Sequence, residues 1–253
     1  MLARLGNAAV GLLGSIGDAS LFALKAAREI FVPPFEIRET IRQIYELGLR
    51  SAPLIAVSGV AVGVVLSMHT RASLERFGAE AMIPAGLAIA LVRETGPLTA
   101  GLLLSGRIGA GIGAELGAMR VTEQIDALEV MATDPVHYLV VPRVWATTLM
   151  LPLLVAMGNG VGIFGGYLVS VVLMQANPVS YVDRTFQFMD LNDLFSGLIK
   201  AAVFGFLLAL IGCQQGFYTT GGAEGVGRST TAAVVVASIA ILISDFFLTR
   251  LLF

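Results

Sequence analysis

Apolar residues gather in five long stretches along the chain, separated by shorter polar segments. The stretches run roughly over residues 50–69, 82–106, 144–174, 194–216 and 231–252. A helix needs about 20 mostly apolar residues to cross the hydrocarbon core of a bilayer. The pattern therefore predicts an all-α integral membrane protein with about five transmembrane helices, built as a single transmembrane domain over residues 1–253. The second and third stretches continue as glycine-rich apolar sequence, which predicts helices that tilt or extend beyond the bilayer.

The N-terminal residues show a weaker, one-sided apolar pattern. Apolar residues recur at helical spacing, opposite polar ones: Leu2, Leu5, Ala9, Leu12, Leu13 and Ile16 against Arg4, Asn7, Ser15 and Asp18. No small-residue cleavage site follows, which disfavours a cleaved signal peptide. The pattern favours an amphipathic helix lying in the membrane interface, within an interfacial region over residues 1–45. A frayed N-terminal tail is the alternative.

The connection between the second and third stretches differs from the others because it is acidic and periodic. Its charged residues are Glu115, Arg120, Glu123, Asp126, Glu129 and Asp134. Apolar residues recur at helical spacing between them, at Val121, Ile125, Leu128 and Ala132, which predicts a short amphipathic helix within residues 115–134. Thr122 is suited to cap its start, and Pro135 marks its end. Such a helix is either a plain interfacial connector or a docking element for a soluble partner.

The distribution of Lys and Arg predicts the orientation. With the N-terminus in the cytoplasm, the inner segments hold ten basic residues, Arg4, Lys25, Arg28, Arg38, Arg42, Arg50, Arg107, Arg120, Arg143 and Arg228. The outer segments hold four, Arg71, Arg76, Arg184 and Arg250. Because basic residues concentrate in cytoplasmic loops, this asymmetry favours a cytoplasmic N-terminus, and five spans then place the C-terminus outside.

Composition narrows the classes of function. Hydrophobic residues make up 56% of the chain and charged residues 13%, as expected for a protein surrounded by lipid. The net charge of −2 gives no indication of the positively charged surface that a nucleic-acid-binding protein needs. One cysteine, Cys213, and two histidines, His69 and His137, are too few for a disulfide or a metal cluster, so no cofactor is expected. The sequence contains no GxxxxGK[ST] loop, so any ATP used for transport must be bound by a separate subunit.

Glycine and serine recur every four residues in three of the stretches. The first holds Gly59 and Gly63, the second Gly101, Ser105, Gly109, Gly113 and Gly117, and the third Gly158, Gly162 and Gly166. Small residues at this spacing let helix backbones approach closely in lipid. The stripes therefore predict tightly crossed helices, and they identify no substrate.

Four ionisable residues fall inside the apolar stretches. Arg93 and Glu94 lie near the middle of the second, Lys200 in the fourth and Asp245 in the fifth. A charge at bilayer depth costs at least about 2.5–3.5 kcal/mol, so such residues usually face a partner, a cavity or a substrate. Consecutive helical residues point about 100° apart, so Arg93 and Glu94 should meet different partners. Pro97 lacks an N–H and favours a kink beside them. The alternative is a purely structural ion pair between helices.

The run from Arg93 to Arg143 resembles a known signature. It reads RETGPLTAGLLLSGRIGAGIGAELGAMRVTEQIDALEVMATDPVHYLVVPR and is similar to the permease subunits of the maintenance-of-lipid-asymmetry transporters. The resemblance implies a homodimeric permease with five transmembrane helices in the inner membrane. It further implies two cytoplasmic ATPases, an accessory small cytoplasmic subunit, a periplasmic ring of MCE-domain proteins, and phospholipid as the cargo.

The resemblance also implies roles for individual residues. Those that would line a lipid cavity at the dimer interface are Leu66, Leu74, Phe77, Arg93, Glu94 and Thr95. At position 95 the family pattern leads us to expect an aliphatic residue where this chain has Thr. Arg42, Arg228 and Lys200 match basic positions of the family, and Asp245 joins the substrate-site candidates because of its depth. The ATPase would dock on the helix within 115–131, with Glu115, Glu123, Asp126 and Glu129 as contacts.

Two other functions remain open at this point. A proton-coupled secondary transporter would use Glu94, Asp245 and Lys200 as a relay. A membrane-embedded enzyme is the third possibility, but no nucleophile, base and orienting group can be placed together, and no HExxH motif occurs. We expect a permease without enzymatic activity of its own.

Overall fold

The computed structural model describes residues 17, 20–33, 36–173 and 175–252. Five long helices are apolar enough to cross a membrane: α1 (Ile37–Phe77), α2 (Glu80–Val121), α4 (Val136–Leu173), α6 (Leu191–Phe217) and α7 (Gly222–Leu252). Two short helices connect them, α3 (Gln124–Val130) between α2 and α4, and α5 (Pro178–Gln187) between α4 and α6. Residues 20–29 are also helical. Successive long helices run in opposite directions, so the bundle has an α3 end and an α5 end.

The prediction of an all-α membrane protein with five spans is confirmed, and each helix is longer than its apolar stretch. The second and third spans cover 42 and 38 residues, which confirms that they extend beyond a perpendicular crossing. The additional turns, such as those that begin at Glu80 in α2 and at Gly222 in α7, contain polar residues. A prediction based on hydropathy alone therefore leaves these turns out of the helix.

Backbone contact between glycines joins α1 to α4. A Cβ atom on Gly59 would lie 2.6 Å from the carbonyl oxygen of Gly158, and one on Gly63 would overlap the carbonyl of Gly162. One turn further on, the hydroxyls of Ser67 and Ser170 are hydrogen-bonded at 3.1 Å. Such close approach maximises van der Waals contact, which drives helix association in lipid. The tight crossing predicted from these two stripes is confirmed.

Helix α2 packs between α6 and α7 through the stripe that runs from Gly101 to Gly117. A Cβ atom on Gly113 would lie 3.3 Å from the Cβ of Ala233 in α7, and one on Gly117 would lie 3.3 Å from the hydroxyl of Ser229, whereas one on Gly109 would meet open space. Large apolar side chains fill the rest of this contact; those fully buried are Leu104, Ile108, Ile112, Leu116, Phe204 and Leu208. Most of the stripe therefore packs as predicted, and the core of the bundle lies between α2 and α6.

The helical residues 20–29 lie across the α3 end. Phe22, Ala26 and Ile30 recur every four residues and are buried, and the ring of Phe22 lies 5.8 Å from that of Phe217. Lys25 Nζ lies 3.1 Å from a carboxylate oxygen of Asp134. This part of the N-terminal region is thus amphipathic and docked on the bundle. The amphipathic helix predicted from Leu2 to Ile16 lies outside the described residues.

The predicted amphipathic helix within 115–134 is divided between two elements. Residues up to Val121 continue α2, and α3 begins only after Glu123, whose backbone is left-handed with φ 59°. The prediction that Thr122 caps α3 was wrong, because its hydroxyl donates to the carbonyl of Ala118 and so belongs to the end of α2. Helix α3 also ends at Val130, before Asp134, since the chain turns left-handed again at Ala132.

Candidate functional site

A charged cluster joins α2, α6 and α7 inside the bundle. Lys200 of α6 is completely buried, and its Nζ lies 2.6 Å from a carboxylate oxygen of Glu94 and 3.2 Å from one of Asp245. It also donates to the hydroxyl of Thr249, at 2.7 Å. The same hydroxyl lies 3.1 Å from Glu94. All four residues fall within the half of their helices nearest the α5 end, so one ammonium group is shared by two carboxylates there.

Arg93 forms a second ion pair beside this cluster. Its guanidinium contacts one carboxylate oxygen of Asp193 at 2.5 Å and 2.7 Å. Asp193 is almost fully buried, and its other oxygen accepts the backbone N–H of Asp190 in a capping box at the start of α6. Arg93 and Glu94 meet different partners, as predicted, although their ion-pair partners, Asp193 and Lys200, both belong to α6. The side chains of Arg93 and Glu94 remain 36% and 39% exposed, so an external molecule can reach both.

The backbone of α2 is irregular at this pair. Residues Leu91–Thr95 form a π-helical turn, in which the N–H of Gly96 bonds to the carbonyl of Leu91, five residues back. Pro97 has no N–H to offer to the preceding carbonyls, and the freed carbonyl of Val92 lies against Gly197 of α6, where a Cβ atom would overlap it. Single π-helical turns inside α-helices are frequent at functional sites.

An apolar groove of about 310 Å³ lies next to the charged residues. It is lined by Ala61, Val62, Val65, Leu66, His69 and Thr95. Of the residues expected to contact acyl chains, Leu66 and Thr95 therefore lie together. Leu74 and Phe77 lie further along α1 and do not line the groove; Phe77 is 83% exposed.

Arg42 and Arg228 lie at the α3 end, away from the charged cluster. Arg42 forms exposed ion pairs with Glu39 and Glu46, at 3.5 Å and 3.4 Å. Arg228 lines a polar cavity of about 440 Å³ between the end of α6 and the start of α7. The structure brings neither residue to the groove, so any role in lipid handling would be at the opposite end of the bundle.

The four acidic residues expected to contact an ATPase have different environments. Glu115 lies on α2 and pairs at 2.8 Å with Arg143 of α4, which is buried. Asp126 of α3 pairs with Arg120. Glu123 and Glu129 are exposed, with no ion pair among the residues that the structure describes. The exposed acidic surface therefore lies on and beside α3.

Sequence reasoning did not identify two residues of this region, Thr249 of the charged cluster and Asp193, the partner of Arg93. The spacing of Asp190 and Asp193 before an apolar run is a detectable capping signal, but it indicates a helix start and not an ion pair. Nothing in the sequence around Thr249 marks it as a hydrogen-bond partner. In the described part of the chain, no three His, Cys, Asp or Glu residues are grouped so as to hold a metal ion.

Comparison with known proteins identifies the family. The model of the permease MlaE family matches residues 40–251. A probable ABC transporter permease protein of Rickettsia conorii is 44% identical over 248 residues, 98% of this chain and 96% of that protein. The intermembrane phospholipid transport system permease protein MlaE of Haemophilus influenzae is 35% identical over 214 residues, 84% and 82% of the two chains.

A plant protein shares the same region. The chloroplastic protein TRIGALACTOSYLDIACYLGLYCEROL 1 of Arabidopsis thaliana is 36% identical over 216 residues, which cover 85% of this chain and 62% of that protein. The family match covers three of the five long helices completely, nearly all of α1 and α7, and the charged cluster, and it confirms the resemblance seen in the run from Arg93 to Arg143. The chain is a multi-pass membrane protein that belongs to the MlaE permease family.

Proposed function

We propose that this chain is the membrane-embedded permease subunit of an ABC-type phospholipid transporter. It moves lipid between the inner membrane and a periplasmic partner built of MCE domains, and it works as a homodimer. Its N-terminus faces the cytoplasm and its C-terminus the periplasm, so that α3 is cytoplasmic and α5 periplasmic. The family membership and the name of the Haemophilus influenzae relative support lipid as the cargo.

The observation that carries the proposal is the position of the half-exposed Arg93 and Glu94 beside the apolar groove. A phospholipid has an anionic phosphate and two acyl chains, so its site needs polar groups next to an apolar wall. Arg93 offers a planar, charged donor to the phosphate. Leu66 and Thr95 border the space for an acyl chain, where Thr95 adds a methyl group beside its hydroxyl.

Glu94 limits the affinity of such a site for the lipid phosphate. Its carboxylate shares Lys200 with Asp245, so the ammonium group is already neutralised and does not hold the phosphate too tightly. A carrier that must release its lipid benefits from moderate binding. Leu74 and Phe77, beyond the groove at the end of α1, would extend the apolar path toward the periplasmic partner.

The energy for transport would come from a separate ATPase subunit, assisted by an accessory small subunit on the cytoplasmic side. Helix α3 is the proposed docking element, because it is short, connects α2 to α4, and carries the exposed Glu129, with the exposed Glu123 directly before its first residue. Its inner face is anchored by Ile125, which is fully buried. A push on α3 is thereby transmitted to α2, which carries Arg93 and Glu94.

The experiment compares Arg93→Ala with Arg76→Ala in proteoliposomes that contain the full complex. Arg76 lies at the same end of the bundle, is exposed and forms no ion pair among the described residues, so it controls for loss of a positive charge. We expect Arg93→Ala to lower ATP-dependent lipid transfer about tenfold, as for loss of one charge-assisted hydrogen bond, and Arg76→Ala to leave it unchanged. Photocrosslinkers at Leu66, Leu74 and Phe77 report lipid occupancy.

Two outcomes would contradict these assignments, one for the lipid site at Arg93 and one for the permease function. If Arg93→Ala lowers the melting temperature of the complex but its folded fraction still crosslinks lipid at the wild-type level, the pair with Asp193 is structural only. ATP hydrolysis by the purified chain without partners would contradict the permease assignment.

A second candidate function is proton-coupled secondary transport. The observation that favours it is that both carboxylates of the hypothetical relay contact its ammonium group: Glu94 lies 2.6 Å and Asp245 3.2 Å from Lys200 Nζ. Lipid transfer driven by a pH gradient in liposomes without ATP would support this function. Co-purification of an ATPase with the tagged chain would count against it.

A further inference from the structure

A second cavity, of about 240 Å³, opens at the α5 end and shares no lining residue with the apolar groove. It forms where the end of α1, the first turn of α2, the last turn of α4 and the start of α5 meet. Polar residues make up most of its lining: Arg71, Glu80, Ser170, Gln175, Asn177, Ser180 and Tyr181. Neither the proposed transport site nor the expected ATPase contacts make use of it.

The hydroxyl of Tyr181 is the most unusual group in this cavity. Tyr181 is 3% exposed, and its hydroxyl has no hydrogen-bond partner among the described residues. Burial raises the pKa of Tyr181 to about 12, and the nearby hydroxyl of Ser170 opposes this shift, although the two hydroxyls do not meet the geometry of a hydrogen bond. The phenol is therefore a protonated donor at neutral pH. A buried donor without an acceptor is costly, which points to an acceptor that occupies the cavity.

The two charged residues of the cavity remain separate. Arg71 is partly exposed and contacts Glu75 at 3.4 Å, one turn along its own helix. Glu80 has no ion-pair partner in the described part of the chain, and no ion pair joins it to Arg71. The cavity thus offers a cation and an anion to a ligand at the same time, together with neutral hydroxyl groups.

The cavity lies at the level of a membrane–water interface. It is bounded by the ends of three membrane-spanning helices and by α5, which is amphipathic: Tyr181 and Thr185 are buried, whereas Val179 and Phe186 are each more than two-thirds exposed. A helix with such an apolar outer face lies in the plane of the interface. Phospholipid headgroups occupy this level of the bilayer.

We propose that this cavity binds the headgroup of a zwitterionic phospholipid that carries a primary amine, with the phosphate at Arg71 and Tyr181 and the ammonium at Glu80. A primary ammonium donates hydrogen bonds to a carboxylate, whereas a quaternary ammonium does not. A headgroup with a phosphate and no amine would leave Glu80 beside a like charge. The cavity therefore selects ethanolamine lipid over glycerol lipid, independently of any transport.

The test uses the full-length chain in detergent, without an ATPase, exposed to equimolar phosphatidylethanolamine and phosphatidylglycerol. Native mass spectrometry counts the lipids that stay bound. We expect the wild-type chain to retain the ethanolamine lipid about tenfold better, the effect of one charge-assisted hydrogen bond. Glu80→Gln should remove that preference, and Tyr181→Phe should lower retention of both lipids about fivefold.

Matched controls come from the same end of the bundle. Asp183→Asn removes an exposed carboxylate of α5, and Tyr167→Phe removes the hydroxyl of the ring that packs edge-on against Tyr181 at 5.4 Å. Neither residue lines the cavity, so both variants should retain lipid as the wild-type chain does. Soluble glycerophosphoethanolamine, added as a competitor, identifies the source of the headgroup: displacement of bound lipid indicates that the free headgroup suffices, and no displacement indicates that the acyl chains are needed.

The proposal is overturned if Glu80→Gln and Tyr181→Phe retain both lipids at the wild-type ratio and level. It is also overturned if Tyr181→Phe raises the melting temperature without changing lipid retention, because the hydroxyl would then be only an unsatisfied group in a packing defect. Since no ATPase is present, failure here leaves the proposed transport function untouched, and failure of ATP-dependent transfer leaves this site untouched.

Discussion

Two of the contacts between helices in the bundle use opposite chemistry. Between α1 and α4 the contact is made by glycine backbones, and the hydroxyls of Ser67 and Ser170 add one hydrogen bond. Between α2, α6 and α7 the contact near the α5 end is made by Lys200, Glu94 and Asp245. The first depends on the absence of side chains, and the second depends on long side chains that share charge.

The difference indicates which contact can change during transport. Backbones that touch at glycines cannot slide without opening a gap that lipid does not fill, so α1 and α4 should move together. Ion pairs can exchange partners at constant helix distance, because the side chains of Lys and Glu have several rotamers. Glu94 already lies next to two partners, Lys200 and Thr249. We therefore expect conformational change to concentrate where α2 meets α6 and α7.

Breaking the charged contact should have the largest effect on stability. Lys200→Met leaves Glu94 and Asp245 together without a cation, and removal of one partner of a buried ion pair costs about 3–5 kcal/mol. Lys25→Met is the matched control, because Lys25 is half-exposed at the α3 end and its pair with Asp134 should contribute less than about 1 kcal/mol. Thermal unfolding in detergent measures both. Equal losses for the two lysines would show that the cluster is not a stabilising contact.

Breaking the glycine contact should come second. Gly63→Ala places a methyl group onto the carbonyl of Gly162, and overpacking of this kind costs about 1–3 kcal/mol. Gly160→Ala, in the same helix as Gly162 but with open space around its Cα atom, should instead be neutral or stabilising by about 0.5–1 kcal/mol. Opposite shifts in melting temperature are expected; a similar shift for both variants would mean that α1 and α4 do not approach this closely.

Changes to the exposed charges at the α3 end should have almost no effect on stability, in contrast to loss of Lys200. Reversal of both Glu123 and Asp126 to Lys should cost about 0.5 kcal/mol, because these positions are exposed or half-exposed. The same double variant should lower ATPase activity of the assembled complex, or association of the ATPase, if α3 is the docking element. Normal assembly and turnover would show that α3 is only a connector.

The smallest effect concerns Asp134, just before α4. Partial burial raises its pKa, but the N–H of Val136 and the ammonium of Lys25 more than offset this, so the pKa lies below its ordinary value. A lowered pKa stabilises the fold above the ordinary value of about 4, and this stabilisation is lost as the pH falls through the folded-state pKa. Asp134→Asn should therefore lower the melting temperature at pH 7, and this effect should shrink progressively as the pH falls below about 4. A pH-independent difference in melting temperature would contradict this.

The sequence alone was sufficient for the class of protein, the number of spans and the glycine contacts. Hydropathy over about 20 residues reports membrane crossing directly, and glycines spaced by four lie on one face of any helix, so Gly59, Gly63, Gly158 and Gly162 were recognisable without a structure. The run from Arg93 to Arg143 was long enough to indicate the family, which the match over residues 40–251 confirms.

Only the tertiary structure decided which charges meet and where the helices break. Lys200 lies 106 positions from Glu94 and 45 from Asp245, and local pattern does not specify contacts over such separations. The left-handed turn at Glu123 was also missed, because a residue other than glycine rarely adopts that backbone and its own side chain does not signal it. Periodicity reports which face of a helix is apolar, whereas the partner of a buried charge depends on how three helices are arranged around it.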